Sequence, residues 1–176
     1  MISRRPFLSI CALLALLLAA CTAGSSVGQR AVTPIAVDAG RAARLISAYR
    51  AERGLGPVSV DSRLMRAARG YARVMGERDQ IGHRLGGSLP RRVTAAGYHW
   101  GYVAENLAAS YSTLEEAIAG WKNSAGHRQN LLSRFATEIG VAAVATPPGS
   151  DHRNYWALIL ATPQPEDQRT FARASR

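Results

Sequence analysis

Apolar residues recur at spacings of three and four between residues 64 and 75, where Leu64, Ala67, Ala68, Tyr71 and Met75 alternate with Arg63, Arg66, Arg69 and Arg73. That periodicity predicts a helix with one buried stripe and an arginine-bearing face. Asp61 precedes it and supplies a carboxylate where free backbone amides need an acceptor. An earlier helix, capped by Asp38, carries Leu45, Ile46 and Tyr49 on one side and stops at Gly54, with Gly56-Pro57 preventing its continuation. A third opens at Thr113-Leu114-Glu115-Glu116, in which the Thr113 hydroxyl and the Glu116 carboxylate are each expected to accept from the other's backbone amide. Its predicted buried face is Leu114, Ala117, Ile118 and Trp121. It should end near residues 124–126, with a further turn through Asn130 and Leu131.

The pattern then changes. Residues 138–144 and 155–160 are short apolar runs separated by Pro147-Pro148-Gly149-Ser150-Asp151, which reads as an antiparallel hairpin with a longish loop. Residues 79–98 break into glycine-rich and proline-containing pieces with at most a short helix over 91–96. Irregular segments of this kind often carry site residues on a rigid scaffold. Helices followed by strands, without strand–helix–strand alternation, indicate an α+β domain.

The N-terminal pattern belongs to export. Ser3-Arg4-Arg5 is a basic start, residues 8–20 are almost wholly apolar, and Leu18-Ala19-Ala20-Cys21 closes the run with small residues. The run is too short to span a bilayer, which takes about 20 apolar residues. Leu-Ala-Ala-Cys resembles the lipobox of bacterial lipoproteins, which implies cleavage before Cys21 and lipidation there; the alternative is ordinary cleavage near Ala20 that leaves a free thiol. Ser3-Arg4-Arg5-Pro6-Phe7-Leu8 resembles a twin-arginine signal, and a general secretory signal with two arginines is the competing reading. Residues 1–20 are thus assigned to the signal, 21–37 to the lipidated cysteine and a flexible tether, 38–162 to the folded domain and 163–176 to a disordered, charged tail.

Charge and cysteine content narrow the partners. The chain has 22 Lys+Arg against 12 Asp+Glu, and loss of Arg4 and Arg5 with the signal still leaves the mature form basic. Anionic lipid head groups or cell-wall polymers would suit that balance. Lys122 is the sole lysine, and no consecutive basic run or basic–aromatic interleaving points to nucleic acid. Cys11 lies in the signal and Cys21 would be lipidated, so the domain has no disulfide and rests on packing.

Several ordered motifs resemble the CAP superfamily in its compact bacterial SCP form. They are Arg50, Gly54-Leu55, Pro57, Val60-Asp61 and Leu64; then His83; Ala96-Gly97-Tyr98 with Trp100; Ala104-Glu105-Asn106-Leu107; and Trp121 through Leu132, which includes Ser124 and His127. The resemblance runs over about residues 41–160. It implies an α-β-α sandwich with a small antiparallel sheet, in which an early strand, here residues 103–109, pairs with the terminal hairpin.

It also implies a surface cleft with two histidines and two acids, whose histidines bind a divalent metal in some members. By motif His83 and His127 are the histidines and Glu105 is one acid. Asn123 or Ser124 stands where the second acid is expected, so one carboxylate is missing, and Ala104 replaces the usual glycine. His83, Glu105, Ser124 and His127 are therefore the expected cleft, with His83 and His127 as ligands for zinc and Glu105 and His127 as candidate catalytic groups. The competing structural reading has Glu105 and His127 hydrogen-bonding each other, with Asn106 and Asn130 satisfying nearby backbone. Trp100 and Tyr102 could line the cleft.

A Ser124–His127–Glu105 triad is also drawable, but no Gly-x-Ser-x-Gly elbow surrounds Ser124. The leading expectation is an envelope-anchored, non-enzymatic binding module for a small or lipid-like ligand, a peptide or a partner protein, held to the membrane through its lipid. A metal-dependent hydrolase acting on peptides or envelope components is the alternative. Thr22 after the lipidated cysteine implies outer-membrane sorting where two membranes exist.

Overall fold

A computed structural model describes residues 30–165. The expected signal peptide, Cys21, residues 22–29 of the expected tether and the tail beyond residue 165 lie outside the described residues. In chain order the elements are β1 (Thr33–Ile35), α1 (Ala39–Ala51), β2 (Ser59–Val60), α2 (Ser62–Arg78), α3 (Leu89–Ala95), β3 (Trp100–Ala109), α4 (Leu114–Asn123), α5 (Ala125–Leu131), β4 (Glu138–Ala145) and β5 (Asn154–Pro163).

Local chemistry places the helix starts where the sequence puts them. Asp38 accepts from the Arg41 amide at 2.8 Å, and Asp61 accepts from the Arg63 and Leu64 amides at 2.8 and 3.1 Å. The Asp61 carboxyl is held below its ordinary range: burial alone would raise it, but the Arg63 guanidinium and the two amides outweigh burial. At α4, Thr113 Oγ1 accepts from the Glu116 amide at 3.2 Å. The Glu116 carboxylate reaches back to the Ser112 amide at 2.8 Å rather than to Thr113, so the box is one residue wider than expected.

The sheet runs β1-β4-β5-β3 with antiparallel neighbours, and β2 adds a short parallel pair to β4. Both β4 and β5 are buried on two faces, which is why they read as continuous apolar runs instead of alternating ones. Ile139, Val141, Trp156, Leu158 and Leu160 face a core built with α1, α4 and α5. Ala142, Val144, Tyr155, Ala157 and Ile159 face a second core built with α2 and α3. The result is the expected α-β-α sandwich. Gly140 is the point of closest approach between layers, since a Cβ there would lie 2.2 Å from the backbone carbon of Leu64.

Two features depart from expectation. Thr33–Ile35, inside the stretch read as tether, is a strand that pairs with Ala143–Ala145. Three residues carry too little periodicity to mark a strand; the free edge of β4 recruits them. Second, Arg50 is only 1% exposed although it has no carboxylate partner among the described residues. Its guanidinium donates to the carbonyls of Gly56, Leu131, Ser133 and Ala136 at 2.7–3.0 Å, tying the end of α1 to the chain that leaves α5. Burial lowers its pKa.

Candidate functional site

The site straddles β3, the strand at the far end of the sheet from β1. Strand pleating sends neighbouring side chains to opposite faces. Glu105 pairs with Ile159 and so shares the α2–α3 face, whereas Asn106 pairs with Leu158 and faces α4 and α5. His83, from the loop between α2 and α3, meets Glu105 on the first face, and His127 on α5 lies on the second.

Glu105 is the centre of the first half. Its side chain is 3% exposed, and Arg92 donates to both carboxylate oxygens at 2.9 and 2.8 Å. His83 Nδ1 lies 2.9 Å from Oε1. Arg92 is itself held: its guanidinium carbon sits 3.3 Å over the centre of the Tyr71 ring, and Nε donates to the Gly87 carbonyl at 3.2 Å. Arg92 Nη1 is buried without a hydrogen-bond acceptor, so the electron-rich face of Tyr71 is what stabilises that side of the cation. The Tyr71 hydroxyl bridges Gly82 and Leu85, receiving the Leu85 amide at 3.1 Å and donating to the Gly82 carbonyl, which fixes the loop that bears His83.

The second half is an amide network. Asn106 Nδ2 donates to the His127 carbonyl at 3.0 Å, while Asn130 Nδ2 donates to Asn106 Oδ1 at 2.9 Å and to the Glu105 carbonyl at 3.2 Å. Trp121 Nε1 donates to the Leu107 carbonyl at 3.2 Å. Asn130 and Trp121 thus satisfy carbonyls of β3, on whose outer edge no further strand lies among the described residues, and Asn106 ties β3 to α5. The expected hydrogen bond between Glu105 and His127 is not formed: both Glu105 oxygens go to Arg92 and His83, and the His127 backbone carbonyl is what enters the network. Burial, with a smaller electrostatic contribution from nearby His83, depresses the His127 pKa below its ordinary value.

Ser124 ends α4 and precedes α5 without a side-chain capping bond, and it makes no hydrogen bond to His127. A nucleophile–base pair is therefore absent at this position among the described residues. Trp100 and Tyr102 are spent elsewhere: Trp100 Nε1 donates to Thr94 Oγ1 at 3.3 Å, and the Tyr102 ring packs 5.7 Å from that of Phe135.

As a metal site the arrangement offers two imidazoles and not three ligands. Both Glu105 oxygens are occupied by Arg92 and His83, and among the described residues no cluster of three His, Cys, Asp or Glu side chains is disposed to hold an ion. Glu105 instead has the geometry of an outer partner that orients His83 and leaves its Nε2 facing outward, as carboxylates do behind metal-bound histidines. Sequence reasoning missed Arg92 because nothing local distinguishes it from its neighbour Arg91. One helical step separates an exposed arginine from one aimed at Glu105.

A profile of the cysteine-rich secretory protein family, CAP, matches residues 43–160. The chain belongs to the CAP family. Among curated proteins, the chain is similar to the uncharacterized protein YkwD of Bacillus subtilis (strain 168), 33% identical over 102 residues that make up 57% of this chain and 40% of that protein. The uncharacterized membrane protein YlbC of the same organism is 31% identical over 99 residues, 55% of this chain and 29% of YlbC. The chain thus aligns with less than half the length of either relative.

Solved structures share the fold. An outer surface protein from Borrelia burgdorferi superposes with a TM-score of 0.67 at 22% identity, over 76% of this chain and all of that one. An extracellular protein containing an SCP domain from Bacillus anthracis gives 0.60 at 24% identity, over 69% of this chain and 39% of that one. At these identities the likeness speaks to architecture.

Proposed function

We propose that this CAP domain is a non-enzymatic binding module, anchored in the bacterial envelope through a lipidated Cys21, whose His83–Glu105–Ser124–His127 cleft takes a small or lipid-like ligand, a peptide or a partner protein. The occupied carboxylate of Glu105 carries this reading. A general base must have an oxygen free to take a proton, and here both are committed to Arg92 and His83. What the cleft offers a visitor is an imidazole that is 61% exposed, a second imidazole whose pKa burial lowers, and the guanidinium charge behind them. Those groups bind and orient. The membrane-associated and extracellular names among the relatives accord with an exported protein, and Thr22 after Cys21 favours the outer membrane where there are two.

The outward Nε2 of His83 supports a second reading, in which the two imidazoles hold zinc and a metal-dependent hydrolase acts on peptides or envelope components. The metal would supply Lewis acidity and a more acidic bound water. His83 and His127 would hold it, and Glu105 would orient His83.

Calorimetric titration of the mature protein with palmitate and, separately, with zinc separates these readings, run beside a His83→Ala/His127→Ala variant. Palmitate binding that disappears in the variant supports the cleft as a lipid site; identical affinity in both proteins removes the cleft assignment. One-to-one zinc binding lost in the variant supports the metal reading, and a substrate screen with and without chelator then tests hydrolysis.

A further inference from the structure

At the sheet edge opposite the histidine cleft, an open groove of about 910 Å³ runs between residues 30–37 and α2. Val32, Met65, Ala142 and Val144 give it an apolar floor, and Arg69 and Arg73 stand on its rim. Arg66, Arg69 and Arg73 follow one another at helical spacing along the exposed side of α2. Arg66 spends one guanidinium bond on the Ala96 carbonyl and keeps its charge, and Arg73 pairs with Glu77 at 2.5 Å while remaining 67% exposed. Arg69 is exposed and has no carboxylate partner among the described residues. Apolar floor and cationic rim together match an amphiphile with an anionic head.

The chain's own layout says where such an amphiphile would be met. Eight residues, 22–29, separate Cys21 from Arg30, which lines this groove. Whatever their conformation, they cannot carry Arg30 farther than about 30 Å from the anchor. The groove is therefore held next to the bilayer that the anchor enters. We infer that the α2–β1 groove docks on anionic phospholipid of that bilayer, with Arg69 and Arg73 meeting the head-group phosphate and the floor receiving the upper part of an acyl chain. Docking by this edge turns β3, and with it His83, Glu105 and His127, away from the membrane. The inference rests on the lipoprotein reading only for proximity; the groove and its charge stand without it.

The test uses the lipidated mature protein carrying Gly70→Cys. Gly70 lines the groove, a Cβ there meets nothing within 4 Å, and with Cys11 removed and Cys21 acylated the new thiol is unique. An environment-sensitive dye on it should shift to the blue on vesicles of phosphatidylcholine with phosphatidylglycerol and not on phosphatidylcholine alone. Each arginine at an anionic surface is worth about a fivefold change in partitioning, so Arg69→Ala/Arg73→Ala should lower the ratio of docked to undocked protein by about 30-fold.

A charge-matched control, Arg44→Ala on α1 with Arg53→Ala in the turn that follows it, should leave that ratio unchanged, and an equal loss there would overturn the groove assignment. A dye that does not shift on anionic vesicles, or shifts as far on phosphatidylcholine alone, overturns it too. A shift as large with free polyphosphate makes a soluble polyanion the occupant and overturns the membrane assignment. Flotation with phosphatidylcholine vesicles tests the anchor by itself. Protein that fails to float there sinks the lipoprotein reading; Cys21 is then a free thiol, so the dye is read on Gly70→Cys carrying Cys21→Ser, where a shift on anionic vesicles supports the groove and no shift overturns it.

Discussion

Replacing Arg92 by methionine isolates the interaction on which the cleft is built. The Arg92 and Glu105 side chains are 11% and 3% exposed, so water screens neither charge well, and the variant leaves a buried carboxylate facing only His83. Breaking a buried pair from one side costs about 3–5 kcal/mol, because the remaining charge is stranded. Methionine keeps much of the contact with the Tyr71 face through its thioether, so loss of the stacked cation adds little beyond that range. In a chain of this size each kcal/mol shifts Tm by roughly 2–4 °C, which puts the variant about 6–20 °C below wild type. Urea unfolding of Arg92→Met, Glu105→Gln and the double variant reads the cost directly. Glutamine keeps an acceptor for His83 but carries no charge, so the double variant should be more stable than Arg92→Met alone. A loss below about 1 kcal/mol in Arg92→Met, or strictly additive losses in the double variant, would refute the stranded-charge argument.

Three further outcomes follow from the packing. Arg50→Met should lower stability by about 3–5 kcal/mol in urea unfolding, since four carbonyls lose their donor, and Arg50→Lys should recover less than half because an ammonium cannot span all four. Gly140→Ala should cost about 3 kcal/mol or more in the same assay, as its Cβ would strike the rigid backbone of α2, while Gly70→Ala in open space should gain about 0.5–1 kcal/mol. Asp79 ties α2 to the β4–β5 connection: burial would raise its pKa, but the Asp151 amide, the Tyr155 hydroxyl and Arg30 outweigh burial and hold it below the ordinary carboxylate range. Its contribution is therefore present above the unfolded pKa and lost as pH falls through the folded one. Asp79→Asn should be less stable near neutral pH, with a flatter decline below about pH 5 in denaturation midpoints.

The sequence by itself determined what short-range chemistry controls. Asp38, Asp61 and Thr113 cap helices from within three residues of the amides they serve, and the stripe from Leu64 to Met75 is a property of one helix turning on itself. Two-faced burial makes β4 and β5 apolar throughout, so their existence was legible while the direction in which each residue points was not. His83, Glu105 and His127 were legible as motif positions. Their grouping was decided only when β3 took its register beside β5, because that register puts Glu105 on one face and Asn106 on the other. The partners that define the site's chemistry lie far along the chain or in another element: Arg92 for Glu105, the Tyr71 ring for Arg92, Asn130 for the Glu105 carbonyl. An arginine carries the same local signature whether it ends in solvent or against a buried carboxylate. Only the packing of α3 against β3 and α2 decides which, since burial and a preformed partner, and not residue type, set what a charge costs and what it does.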